Sequence, residues 1–349
     1  MHSRKAELYF KPGVFWEPDL PGFNGFFAPD YCFLVSHGDT HVLFDLGLRA
    51  DWENLAPGIV SLLEKSTTIT RGRDVADILD TSDGPGVGSR DISAVIWSHN
   101  HFDHTGNMSK FPETTDLVVG PGVHASSWPG WPSNPNGIVL DSDITGRKVC
   151  EISFDGNTKI GRFDAFDYFG DGSFYLLDAP GHAVGHLCAL ARTTGTPDDS
   201  FIFMGADACH HPGILRPTEY LPLPRSITPL PLAKFAGSML NSCPGELLEQ
   251  LTLNRRLDQP FFVVKDSPML ANHATTLESV DKIQELDASD HVLVILAHDR
   301  SIRNTIPLFP QTINGWKERG LGVGTKWLFC SDSDFKGAIQ ALSQMHGDA

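Results

Sequence analysis

The segment SHNHFDHTG, residues 98–106, places His99, His101, Asp103 and His104 within six residues. Three imidazoles and a carboxylate crowded together repel one another when protonated and gain most by holding a cation. The alternative is a solvated polar loop. With 15 histidines in 349 residues, chance produces an HxHxDH pattern only roughly two times in a thousand, which favours the cation. One loop cannot complete a metal's coordination shell. Three more donors stand where other apolar runs end: His182 in APGHAVGH, Asp207 in FMGADACHH and His298 in ILAHDR. Seven donors from four strand ends suffice for two ions with a carboxylate shared between them, and two such ions share a bridging hydroxide. The chemistry implied is metal-dependent hydrolysis. Weaker features surround the cluster. His186, four residues after His182, is either a hydrogen-bonded core histidine or a donor supporting a ligand. Cys209 reads as a buried thiol, and one of His210 and His211 can face a substrate carbonyl.

Such donors need rigid supports, and the chain supplies them. Ile92 to Trp97 is an apolar run that stops at the histidine cluster, and LVVGPGV, SFYLLDAPGH, SFIFMGADACHH and HVLVILAHDR repeat the construction. Each reads as a buried strand with a polar end. Before them, residues 5–48 carry short apolar runs broken by Gly, Pro and Asp, with HGDT as a hairpin turn. Between residues 51 and 90, Ile59, Leu62 and Leu63 and then RDVADILDTSDG predict two short helices. The prolines of residues 211–245 exclude long regular elements and predict a loop or lid across one face. Thr275 and Glu278 predict a capping box for a helix whose stripe is Leu277, Val280, Ile283 and Leu286, and a last helix is expected over residues 334–345. Together these elements make a layered α/β domain with mixed sheets.

Composition narrows the partners. The chain is 41% hydrophobic and 20% charged, enough for a sizeable core. Its 27 basic against 43 acidic residues give a net charge of -16, the wrong sign for nucleic acid or an anionic membrane surface. No run reaches the roughly 18 to 20 apolar residues of a membrane helix, and the start lacks a secretory core. Six scattered cysteines without a CxxC pair fit a reduced, cytoplasmic protein with thiols that are mostly buried. The expected partner is a small molecule with an apolar portion, and nothing in the sequence excludes a homodimer.

HxHxDH followed by separated His, Asp and His resembles the metallo-β-lactamase superfamily, over roughly residues 6–300. The resemblance implies an αββα sandwich of two mixed β-sheets flanked by helices, in a single domain with a strand/helix extension over about 301–349. It implies that His99, His101 and His182 hold a first metal, that Asp103, His104 and His298 hold a second, and that Asp207 bridges them. Two Zn2+ are implied, with Mn, Co or Fe also compatible with the donors. Asp103 would relay a proton as well as bind. Asp45, in LFDLG, is similar to an early Asp of this superfamily that orients the metal loops. The complete set resembles acyl-homoserine lactonases and glyoxalase II, and the GADACHHPG run resembles fungal hydrolases that open lactones or lactams. Where the lactonases carry a tyrosine three residues after the bridging Asp, this chain carries His210, giving it a substrate-facing or supporting role. Phe15, Trp16, Phe23, Phe26 and Phe27, with Trp128 and Trp131, are expected in the core or as an apolar entrance wall. The reaction implied is opening of a cyclic ester or a related lactam, with an acyl thioesterase on the same site as the alternative.

Overall fold

Alternation along the buried runs determines how the layers stack. In the computed structural model, which describes residues 6–81, 84, 86–195, 198–227 and 243–347, Val42, Phe44, Ala94, Ile96 and Val118 pack against Leu176, Leu187, Ile202, Met204, Leu293 and Ile295. The residues between them in sequence face the opposite way. Leu43, Val95 and Leu117 pack with Val75, Ala76 and Leu79 of a covering helix, while Leu177, Cys188, Phe203 and Val294 pack with Val280, Ile283 and Phe335. A strand with both faces apolar must be covered on both sides. Two sheets face to face with helices outside them satisfy that requirement, giving the αββα sandwich.

The first sheet has five strands in the order Phe33–His37, Thr40–Phe44, Ile92–Ile96, Asp116–Val119 and Val149–Glu151. Its first pair is the expected antiparallel hairpin, and the remaining pairings are parallel. The second has six, in the order Lys159–Ile160, Phe163–Asp167, Phe174–Asp178, Leu187–Thr194, Ser200–Ala206 and Val292–Leu296. It is antiparallel except for its last pair, so both sheets are mixed. A small three-stranded sheet of Phe26–Ala28, Glu7–Phe10 and Ile69–Thr70 stands apart from them.

The helices Pro57–Ser66 and Val75–Thr81 occupy the expected stretch. The later helix, His273–Asp287, corrects the sequence reading. Its N-cap is Asn272, whose side chain accepts from the Thr275 backbone N–H, so Thr275 lies inside the first turn. An Asn three residues earlier caps as well as Thr does. Its buried face is Thr276, Ser279, Val280, Ile283 and Asp287, whereas Leu277 is exposed.

Among the described residues no strand follows Leu296, so the expected strand/helix extension is turns and helices, ending in Ser333–Gly347. Prolines at 307 and 310 and glycines at 315 and 320 punctuate the stretch where that strand would lie. The segment is nonetheless built into the core. Trp316 is buried between the sheets, and Phe329, Phe335, Ala338 and Ile339 join the outer cluster with Phe262 and Leu296. Of the Pro-rich stretch, Pro212–Leu215 forms a helical turn and Ser226–Ile227 pairs with Cys243–Pro244; residues 228–242 lie outside the described residues. No described helix is long and apolar enough to cross a membrane.

Candidate metal centre

All seven donors stand where strands end along one rim of the sandwich. The loop carrying His99, His101, Asp103 and His104 follows Ile92–Ile96, His182 follows Phe174–Asp178, Asp207 follows Ser200–Ala206 and His298 follows Val292–Leu296. Backbone bonds tie the loops together: Leu187 N donates to Ser98 O, Leu46 N to His104 O, and Ala297 N to Ala206 O. Two glycines allow close approaches. Gly106, at φ +55°, lies where a Cβ would sit 2.2 Å from Leu46 Cβ, and Gly181, at φ +126°, where one would sit 2.3 Å from Thr276 N. The first sets the exit from the histidine loop, and the second seats His182 against the 273–287 helix. Asp45 (φ 62°) and Ala206 (φ 41°) hold a left-handed backbone without being glycine. Strain of that kind persists where the surroundings over-determine a geometry.

The donors converge in two groups that share Asp207. His99, His101, His182 and Asp207 form one; Asp103, His104, His298 and Asp207 form the other, with the donor atoms of each within 4.8 Å of one another. Asp207 divides its carboxylate between them. Its Oδ2 lies 3.6 Å from His182 Nε2 and 3.9 Å from His99 Nε2. Its Oδ1 lies 2.9 Å from His298 Nε2 and 3.2 Å from His104 Nε2. His182 Nε2 and His101 Nδ1 face each other at 3.0 Å, and His298 Nε2 is 3.7 Å from Asp103 Oδ2.

Several of these atoms have no hydrogen bond although they are buried: His99 Nε2, His104 Nε2, His298 Nε2 and Asp207 Oδ1. Buried polar atoms are normally paired, and an unpaired one costs about 1–3 kcal/mol. Nitrogens and oxygens gathered within 4.8 Å of one another in each group and left without hydrogen bonds are what a cation would satisfy. The opposite ring nitrogens fix the tautomers. Asp45 Oδ2 and the Pro29 carbonyl can only accept, so His104 Nδ1 donates to the former at 2.8 Å and His298 Nδ1 to the latter at 2.9 Å. Each Nε2 lone pair is then left facing inward. Asp45 also accepts from Ser98 N and Ser98 Oγ, both at 2.7 Å, and Ser98 Oγ lies 3.0 Å from His99 Nδ1.

Electrostatics divides the cluster the same way. Burial keeps His99 and His182 well below the usual imidazole value and holds His101 at about 4. At His104 and His298 burial pulls in that direction too. It is outweighed by Asp207 and Asp45 at the first and by Asp207 and Asp30 at the second, so both are raised well above the usual value. Burial pushes Asp103 up to about 7, with Asp207 and Asp30 adding to the effect. Burial would also raise Asp207, but His298, His104 and His210 hold it well below the usual carboxylate range. The half of the site around His104 and His298 therefore draws positive charge most strongly.

The weaker sequence features resolve individually. His186 donates from Nδ1 to Ala179 O at 3.0 Å and accepts at Nε2 from Asp207 N at 3.2 Å. It is a core histidine that also fixes the Asp207 backbone. Cys209 is buried, and burial pushes its thiol well above the usual value, toward the inert protonated form. His211 turns away from the cluster, accepts from Gly213 N and packs among Phe262, Phe329 and Phe335. His210 reaches the cluster, its Nε2 3.2 Å from Asp207 Oδ2 and its ring stacked between Phe15 and His298. Trp16, Phe23 and Phe26 are core, Phe27 is exposed, and Trp128 stacks on Trp97. Phe10, which the sequence did not single out, lies 4.5 Å from the His298 ring. Asp30 and Ser98 were also missed. Asp30 stands in no distinguishing pattern, and Ser98, although it opens the histidine segment, shows its role only where the Asp45 loop meets it in space.

A model of the metallo-beta-lactamase superfamily matches residues 27–194. The metallo-hydrolase mfmC of Annulohypoxylon moriforme is 60% identical over 343 residues, 97% of this chain and 88% of that protein. The chain belongs to the metallo-beta-lactamase superfamily. Within the superfamily, the gamma-lactamase FDB1 of Fusarium pseudograminearum is 42% identical over 328 residues, 91% of this chain and 78% of that protein. The cytochrome P450 monooxygenase mpaDE of Penicillium roqueforti is 50% identical over 93% of this chain, which spans only 36% of that longer protein. The superfamily fold is shared with a mutant of B. thuringiensis AiiA that carries N-decanoyl-L-homoserine at its active site. That structure is 15% identical with a TM-score of 0.50, covering 89% of this chain and 99% of that one.

Proposed function

We propose that this chain is a two-ion metal hydrolase that opens a five-membered cyclic ester or cyclic amide. The observation that carries the reading is the Asp207 carboxylate, each oxygen of which faces a different group of histidines. His99, His101 and His182 would hold one ion, Asp103, His104 and His298 the other, with Asp207 between them. A nitrogen and oxygen donor set without thiolate suits zinc, and also manganese, cobalt or iron. Bound there, such ions would supply ionised water at neutral pH and polarise a carbonyl. The remaining work falls to the chain. Asp103, buried beside His298 and Asp207, accepts the proton released at attack and returns it to the leaving oxygen or nitrogen. His210, its ring fixed between Phe15 and His298, holds a hydrogen-bond donor where charge develops on the ring carbonyl oxygen. Phe10 and Phe15, stacked at 4.7 Å, form an apolar wall that keeps bulk water from the cluster.

A cyclic amide is supported by the gamma-lactamase names of relatives at 42% and 44% identity. A cyclic ester needs the same attack with a better leaving group. The test is product formation by the zinc-loaded protein on acyl-homoserine lactones of several lengths, a simple γ-lactone, an aromatic γ-lactam and an acyl thioester. Turnover of a lactam or lactone is expected. Turnover of the thioester alone would replace ring opening with thioester hydrolysis, and inertness toward all four classes would overturn the hydrolytic reading.

A further inference from the structure

The two halves of the cluster differ in what stands behind their histidines. Behind the Asp103, His104 and His298 group are two buried carboxylates: Asp45, 2.8 Å from His104 Nδ1, and Asp30, whose Oδ1 is 3.2 Å from His298 Nδ1. Asp30 is 4% exposed. Its Oδ2 accepts from Leu48 N at 3.3 Å, and its Oδ1 has no hydrogen bond. Behind the other group, among the described residues, there is no carboxylate in contact. His99 Nδ1 meets the Ser98 hydroxyl and His182 Nδ1 has no partner. Among the described residues, counting Asp103 and Asp207, four buried carboxylates surround the first group, whereas the second has the Asp207 carboxylate alone and three imidazoles.

A carboxylate behind a ligating imidazole raises its basicity and fixes its orientation, and uncompensated buried negative charge favours a cation directly. We propose that the two positions are unequal, that the Asp103, His104 and His298 position binds its cation more tightly and empties last, and that Asp30 is a positioning residue for this difference. Tyr31 N, which donates to Ala297 O at 3.0 Å, fastens the Asp30 loop to the strand end that carries His298. The tighter position is thereby tied to the N-terminal segment, while the weaker one rests on the histidine loop and the 182 loop.

This rests on the two-ion reading above and is tested apart from activity. The full-length zinc-loaded protein is dialysed against graded concentrations of a competing chelator, and zinc per chain is measured by elemental analysis, with circular dichroism reporting the fold. The wild-type chain should lose its zinc in two steps. His101→Ala should remove the weak step and leave the tight one in place. Asp30→Asn, nearly isosteric, should weaken the tight step by about 10- to 100-fold, as should Asp45→Asn. If His101→Ala abolishes the tight step, or Asp30→Asn leaves it unmoved with the fold intact, the assignment of the tighter position is wrong while two-ion binding stands. No more than one zinc per wild-type chain would overturn the two-ion reading itself, and this inference with it.

Discussion

At the scale of single residues, the proposed mechanism assigns proton transfer to Asp103 and carbonyl stabilisation to His210. Asp103→Asn keeps an oxygen for coordination but loses the base. Its kcat is expected to fall about 10²- to 10⁴-fold with zinc content retained, and full turnover in a zinc-replete variant would remove this role. His210→Phe preserves the stack against Phe15 at 4.4 Å and deletes the donor, so kcat should fall about 10²-fold while KM and zinc content hold. A loss of zinc in that variant would instead make His210 a support for Asp207 Oδ2, 3.2 Å away. The seven candidate donors were legible in the sequence because four of them crowd one segment and the other three each follow an apolar run. Asp30 was not, because its proximity to His298 arises only when residues 29–31 dock on Ala297. His210 was legible as a departure from a resembling pattern, and the structure supplied its contacts.

The elements that carry the site are held by a few buried polar contacts. Arg216 donates from Nε and Nη2 to both oxygens of Asp287, at 2.6 and 2.5 Å, and from Nη1 to Lys326 O at 2.6 Å. That clamp joins the segment after Asp207, the end of the 273–287 helix and the C-terminal region. Asp287→Ala leaves a buried guanidinium without its counter-charge and should lower unfolding free energy by about 3–5 kcal/mol in urea titrations; a loss under 1 kcal/mol would sink the clamp. Asp143, which accepts from Leu140 N at 2.9 Å, is pushed up to about 6 by burial. Its native carboxyl thus binds a proton more tightly than the unfolded one, so stability falls as pH rises from about 4 to about 6, by on the order of 3 kcal/mol. Asp143→Asn should remove that slope from the urea midpoint, and an unchanged slope would show that the carboxyl ionises freely in the fold. Strand positions were legible from apolar runs, but the 273–287 helix was placed by a weaker cue. Asn272 and Thr275 both satisfy capping rules, and tertiary burial of Thr276, Val280 and Ile283 decides between them.

At the scale of the whole molecule, one sandwich brings four distant strand ends to one rim. The two central sheets follow from runs whose successive residues are apolar on both faces, which is why the layered class is readable in the sequence. The role of the last fifty residues was not. Their packing depends on Trp316, Phe329 and Phe335 filling space between distant elements, and no local period records such contacts. On the two-ion proposal hydrolysis depends on Asp207 above all, since among the described residues it alone joins both groups of donors. The most direct test compares the wild-type chain with Asp207→Ala, following zinc per chain and ring-opening turnover of γ-lactone and γ-lactam substrates on the same samples. Two zinc ions and turnover in the wild type, with both lost in a variant that keeps its circular dichroism spectrum, are expected. A folded Asp207→Ala protein that still opens the ring at the wild-type rate would contradict the central claim.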